Sequence, residues 1–212
     1  MKEKNLELER LVFFSDAIVA IAITLLVFDL KIQPADGHLR FADIANAWQK
    51  FLSFFLSFFI IAIFWKIHHE FYFYIRKINN RLLWYNIAWL MFIVILPFTT
   101  TLVSAHLFDE AAIFSYCINV LMVTLFQNQI WDYVAVRPAY LKENTDPELI
   151  RNFRISCNIA MLNALLAAGI SFISPLAAFL ILFTRLPMFS LASKFRWKKN
   201  IQLKKEENVT EK

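Results

Sequence analysis

Asp16 is the first residue whose position asks for chemistry, because it stands in an apolar run, Phe14 to Phe28, that belongs to a helix long enough to cross a bilayer. A carboxylate placed there needs a partner, a water-filled path or a proton. Projected at about 100° per residue, Phe14, Ala17, Ile18, Ile21, Thr24, Leu25 and Phe28 share one face, and Asp16 points nearly the opposite way. Charge and face therefore have separate jobs. Ile21, Leu25 and Phe28, at i, i+4 and i+7, cover about 10 Å of helix rise, with the Thr24 hydroxyl on the same side. Apolar rings can close a water-filled path by dewetting, and a ring of threonine hydroxyls can replace part of an ion's hydration shell. Copies of this face meeting around an axis would form a narrow ion path; alone, the same stripe is also an ordinary packing or lipid-facing surface. Asp16, on this geometry, ties the back of the helix to its neighbours.

The competing chemistry is proton movement through Asp16 and His68, with Asp29 and Asp132 as further carboxylates. His68 belongs to the run Trp65-Lys66-Ile67-His68-His69-Glu70-Phe71-Tyr72. Adjacent histidines on a helix diverge by about 100°, and the H-E-x-x-H spacing is missing, so no metal site is expected. With Gly37 and Gly169 as the only glycines, the chain has no phosphate-cradling loop; it also lacks a nucleophile elbow and a C-x-x-C pair. Neither an enzyme nor a cofactor is expected. A Gly-containing carbonyl filter is missing too, so any ion selectivity must come from side chains or a constriction.

The elements that would position these residues follow from composition. With 59% hydrophobic and 17% aromatic residues, 23 Phe, 6 Trp and 2 Gly in 212 residues, the chain reads as an all-α, polytopic membrane protein. Six spans are expected, at about 11–31, 50–74, 82–104, 111–134, 153–173 and 175–193. Arg76, Lys77 and Arg81 fall in the second connection, Arg137, Lys142, Arg151 and Arg154 around the fourth, and Lys194 to Lys205 after the last span. That alternation puts both termini in the cytoplasm by the positive-inside rule. The net charge of +5 is thereby assigned to loops at a membrane surface, not to nucleic acid. Residues 1–10 form a cytoplasmic N-terminus, 11–193 the membrane domain, and 194–212 a basic cytoplasmic tail.

Local signals refine this. Asn79 and Asn80 are cap candidates for span three, whose inner end carries Trp84, Tyr85 and Trp89 as an interfacial belt. Pro97 is followed by Thr99, Thr100 and Thr101, whose hydroxyls are placed to satisfy carbonyls the proline frees. Gln127, Asn128 and Asp132 require the inner end of span four to face protein or water. Thr145 and Glu148 have capping-box spacing around Pro147, which points to a helical turn before span five. Arg185 within span six should snorkel inward. Cys117 and Cys157 lie in spans and act as small apolar residues.

The segment Arg10-Leu11-Val12-Phe13-Phe14-Ser15-Asp16, an R-x-x-x-F-S-D pattern, followed by Ala17 to Leu26, resembles the signature of the transmembrane protein 175 family of potassium channels. The resemblance extends to the six-span layout and the end of span two. It implies a channel without a filter loop, whose first helices line the pore. Carried over by motif position, Ile21 is the constriction, Thr24 the selectivity-related hydroxyl, and Leu25 and Phe28 further apolar layers. Arg10, Phe14, Ser15 and Asp16 belong to a structural and gating network, with Trp65 and His68 as partners. Animal members resemble two such units in one chain; a single unit here implies a homotetramer. The expectation is a multi-pass prokaryotic membrane protein passing potassium among the monovalent cations, with a proton-coupled carrier or proton leak through Asp16 and His68 as the alternative.

Overall fold

The structure, a computed structural model, describes residues 2–34, 37–143 and 145–184. Seven α-helices appear among them: α1 (Lys2–Leu25), α2 (Phe41–Asn46), α3 (Trp48–Tyr74), α4 (Asn80–Ala105), α5 (Glu110–Ala135), α6 (Pro147–Ile170) and α7 (Pro175–Phe183). Five segments are long and apolar enough to cross a membrane: Leu6–Asp29, Trp48–Tyr74, Asn80–Ala105, Glu110–Ala135 and Pro147–Ile170. Of the expected sixth span, the described part is α7 and Thr184. Arg185, the rest of that span and the basic tail lie outside the described residues.

Caps set the helix starts. Asn79 accepts from the Leu82 amide at 3.0 Å to open α4, as expected. Asp146 accepts from the Glu148 amide at 2.8 Å to open α6, with Pro147 in the first helical position. The Thr145 hydroxyl instead donates to the Lys142 carbonyl at 2.7 Å. The Thr145–Glu148 box therefore gives way to an aspartate cap, and α6 runs unbroken from Pro147. The first connection contains a short helix, α2, where the Arg40 amide donates to Asp43 Oδ2 at 2.9 Å.

α4 lies at the centre, against α1, α3 and α5, while α5 continues the bundle to α6 and α7. The basic connections α3–α4 and α5–α6 meet at one end: the Arg76 amide donates to the Tyr140 carbonyl at 2.7 Å, and the Lys142 amide to the Tyr74 carbonyl at 2.9 Å. Beside them the rings of Phe71, Trp131 and Phe153 pack with centroids 4.6 to 5.2 Å apart. Gln127 donates to the Phe64 carbonyl at 2.9 Å, Asn128 to Asn158 at 3.1 Å, and Arg154 pairs with Asp132 at 2.7 Å. The polar end of α5 thus faces protein.

Two further expectations need correction. Trp89 is wholly buried and is no belt residue, whereas Trp84 is exposed. Thr99 and Thr100 donate to the Leu96 carbonyl and Thr101 to that of Pro97. A proline removes the donor for the carbonyl four residues earlier, here Ile93, so the hydroxyls serve the next turn instead.

Candidate functional site

α1 reaches the bundle through a seam at helical spacing. Leu11, Ser15, Val19, Ala22 and Leu26 are all buried, forming one stripe against α3 and α4. Ala22 and Ser15 are small enough for close helix approach. A single serine hydroxyl in this stripe carries the polar attachment.

That attachment is a short directed network. The Ser15 hydroxyl donates to the Leu11 carbonyl at 2.9 Å and accepts from Asn86 Nδ2 at 2.9 Å. Asn86 Oδ1 then takes two donors, His68 Nε2 at 2.7 Å and the Tyr72 hydroxyl at 3.2 Å. Because an amide oxygen only accepts, Nε2 is the protonated nitrogen of His68. The His68 ring is stacked on Trp89 with centroids 4.2 Å apart, and against Tyr72 at 4.5 Å. Ser15, His68, Asn86 and Trp89 are fully buried. Ser15 of α1 and both His68 and Tyr72 of α3, joined by Asn86 of α4, thus fix three helices in register. Interhelical bonds of this kind specify packing, while His68 Nδ1 and Trp89 Nε1 in the same cluster are buried with no hydrogen-bond partner among the described residues.

Asp16 has a separate partner. Its Oδ1 accepts from the Trp65 indole at 2.8 Å, at the rim of the α1–α3 contact. An indole N–H answers the acceptor without supplying a counter-charge. Among the described residues no hydrogen bond joins Asp16 to His68. Ser15, Asp16, Trp65 and His68 are therefore brought to one region but in two sets, while Arg10 and Phe14 are exposed and stand outside both. Asn86, Tyr72 and Trp89 escape the sequence reading as network members. An asparagine inside the apolar run of α4 is the same kind of signal as Asp16.

The opposite side of α1 is left largely uncovered by the described residues. Phe14, Ala17, Ile21, Thr24, Leu25 and Phe28 are exposed, Ile21 at 60% and Phe28 at 64%, while Ile18 is half-buried. Thr24 donates its hydroxyl proton to the Ile21 carbonyl at 2.8 Å, which leaves oxygen lone pairs directed outward. After Leu25 the chain tightens into a 3₁₀ turn, Leu26–Asp29. Residues i and i+3 eclipse in such a turn, so Phe28 stays in line with Leu25 where an α-helix would drift. Next to Phe28 an open depression of about 520 Å³ is edged by Asp29, Lys31, Asp43 and Lys50. The Lys50 ammonium donates to the Lys31 carbonyl at 2.6 Å and holds this mouth to α3. His69 is exposed and its ring lies 5.7 Å from Trp65; no group of three or more metal-ligating side chains occurs among the described residues.

Comparison with known proteins addresses the same segment. Residues 10–97 match the family model for the endosomal/lysosomal potassium channel TMEM175. A protein named as a potassium channel in Streptomyces collinus is 29% identical over 168 residues, covering 76% of this chain and 81% of that protein. The crystal structure of a lysosomal potassium-selective channel TMEM175 homolog from Chamaesiphon minutus aligns with a TM-score of 0.78 at 25% identity, covering 88% of this chain and 98% of the other. A Danio rerio protein named endosomal/lysosomal proton channel TMEM175 is 28% identical over 137 residues, or 63% of this chain and 26% of that protein.

Proposed function

We propose, from the premise that this chain belongs to the TMEM175 family of membrane ion channels, that it forms a homotetrameric potassium-selective pore. Its members are channels and not enzymes, and the fold is a multi-pass all-helical one. Four copies of α1 surround the axis, with Ile21 as the narrowest apolar layer, Leu25 and Phe28 beyond it, and Thr24 lending hydroxyl oxygens to a partly dehydrated cation. Residues 1–10 and the basic tail 194–212 lie in the cytoplasm, 11–193 cross the membrane six times, and potassium is the permeant ion. Arg10 and Phe14, which are exposed among the described residues, complete the structural and gating set across the contact between copies. The observation that carries this reading is the division of α1 and its 3₁₀ extension: Leu11, Ser15, Val19, Ala22 and Leu26 pack on the bundle while Ile21, Thr24, Leu25 and Phe28 are left open.

Proton leak through Asp16 and His68 is less favoured, because Asp16 bonds to Trp65 and the His68 network ends on the Leu11 carbonyl. The proton-channel name of the animal relatives nevertheless makes protons a necessary arm of the test. Purified protein in liposomes is to be assayed with potassium, sodium and proton gradients. Potassium flux should exceed sodium flux, and Ile21→Asn, which wets the constriction, should raise flux by roughly tenfold, a barrier about 1.4 kcal/mol lower, with weaker selectivity. Unchanged flux from an assembled Ile21→Asn tetramer overturns the assignment.

A further inference from the structure

Cations at the basic end of the bundle fall into two groups. Arg76 is neutralised by Glu143 at 2.7 Å and Arg154 by Asp132 at 2.7 Å. Lys77, Arg81 and Arg137 have no carboxylate within ion-pair distance among the described residues. They are held on aromatic faces instead. The Arg137 guanidinium lies 4.0 Å over the Tyr133 ring, that of Arg81 is 5.8 Å from the same ring, and the Lys77 ammonium lies 4.7 Å over Tyr140. Hydrogen bonds fix the holders: Arg137 donates to the Tyr133 carbonyl at 2.8 Å, Asn79 to the Tyr133 hydroxyl at 2.7 Å, and Arg81 to the Tyr85 hydroxyl at 3.1 Å.

An aromatic face orients a guanidinium without cancelling its charge. Two like charges resting on one ring sit closer than a Debye length, about 10 Å at ordinary salt, and an anion between them relieves that repulsion. The cluster lies where α4 begins and α5 ends, with Trp84 and Val136 exposed beside it. A headgroup there would have apolar surface for its acyl chains directly alongside.

The geometry points to a binding site for an anionic phospholipid of the cytoplasmic leaflet, its phosphodiester held by Arg81 and Arg137 with Lys77 at the edge. Guanidiniums offer paired N–H donors to phosphate oxygens, and juxtamembrane cations attract anionic lipid. A zwitterionic headgroup brings its own cation into the same cluster and is disfavoured.

The test compares thermal unfolding of the full-length protein in detergent with added phosphatidylglycerol or phosphatidylcholine. Phosphatidylglycerol should raise Tm by several degrees more than phosphatidylcholine. Arg81→Gln with Arg137→Gln should remove most of that increment, and Arg76→Gln, which alters a paired cation, should keep it. An undiminished increment in the double variant overturns the site and moves lipid binding elsewhere, for example to the basic tail. The same increment from inorganic phosphate overturns the lipid assignment. Should the double variant not fold, native mass spectrometry of Arg137→Gln beside the unaltered protein, each equilibrated with equal amounts of both lipids, decides: several-fold enrichment of phosphatidylglycerol that falls in Arg137→Gln supports the site, and enrichment kept in Arg137→Gln, or absent from both, overturns it.

Discussion

The two sides of α1 use the same kinds of residue for opposite ends. Leu11, Val19 and Leu26 on one side are sealed against α3 and α4, and the polar group among them, Ser15, is fully bonded. Ile21, Leu25 and Phe28 on the other side are no less apolar, yet the protomer leaves them open, with Thr24 bonded only to its own helix. Apolar character alone cannot tell a core stripe from one the bundle leaves exposed. The difference lies in where the interhelical hydrogen bonds go: Ser15, Asp16, His68 and Trp65 all anchor the sealed half. A helix fixed this way from behind can present its other face without collapsing onto its own bundle.

The largest way to break that contrast is to remove the hub of the sealed side. Asn86→Leu leaves the His68 N–H, the Tyr72 hydroxyl and the Ser15 oxygen stranded in a dry interior. At roughly 1–3 kcal/mol per stranded buried group, moderated by the modest interhelical bonds measured in membranes, the loss should be about 2–4 kcal/mol. Thermal unfolding in detergent should show it as a Tm drop far beyond that of an exposed α1 substitution such as Phe14→Leu. Equal drops for the two would erase the distinction between the sides.

A smaller break separates charge from hydrogen bonding at Asp16. Trp65→Phe removes the donor to Oδ1 and should cost about 0.5–1.5 kcal/mol, since the pair sits at the rim, where water can replace the indole. Asp16→Asn keeps an acceptor for the indole and should cost less. If Asp16→Asn instead abolishes ion flux while Tm is unchanged, the carboxylate charge acts in conduction and the proton pathway regains its place.

Periodicity made the open face legible, because α-helical phase from Phe14 to Leu25 is stiff and nothing tertiary has to be known to project it. Of the seam on the other side, only Ser15 was legible in the sequence. Partners were not: Asn86 meets Ser15 only because α4, 71 residues further on, happens to be the helix that α1 crosses. Trp84 and Trp89 show the limit most plainly. Five residues apart, they differ by about 140° on the helix, so one faces outward and the other stacks on His68, and composition alone reads both as belt residues. Helix starts failed where two local caps competed, as Asp146 won over Thr145. The 3₁₀ turn after Leu25 carries no clear sequence mark, yet it keeps Phe28 in line with Leu25.

The finest probe of the comparison is Thr24→Val, an isosteric change on the open side. Because the hydroxyl bonds only to the Ile21 carbonyl of its own helix and the side chain is exposed, Tm should not move. If the hydroxyl oxygens contribute to ion dehydration, the potassium-to-sodium flux ratio in liposomes should change by roughly two- to fivefold, or ~0.4–1 kcal/mol per ion. Selectivity unaffected by Thr24→Val but weakened by Ile21→Asn would place discrimination in the apolar constriction itself, by the cost of stripping water. A Tm loss with no change in selectivity would instead mean that Thr24 packs against a neighbouring copy, and that the line of approach between copies runs along a different edge of α1.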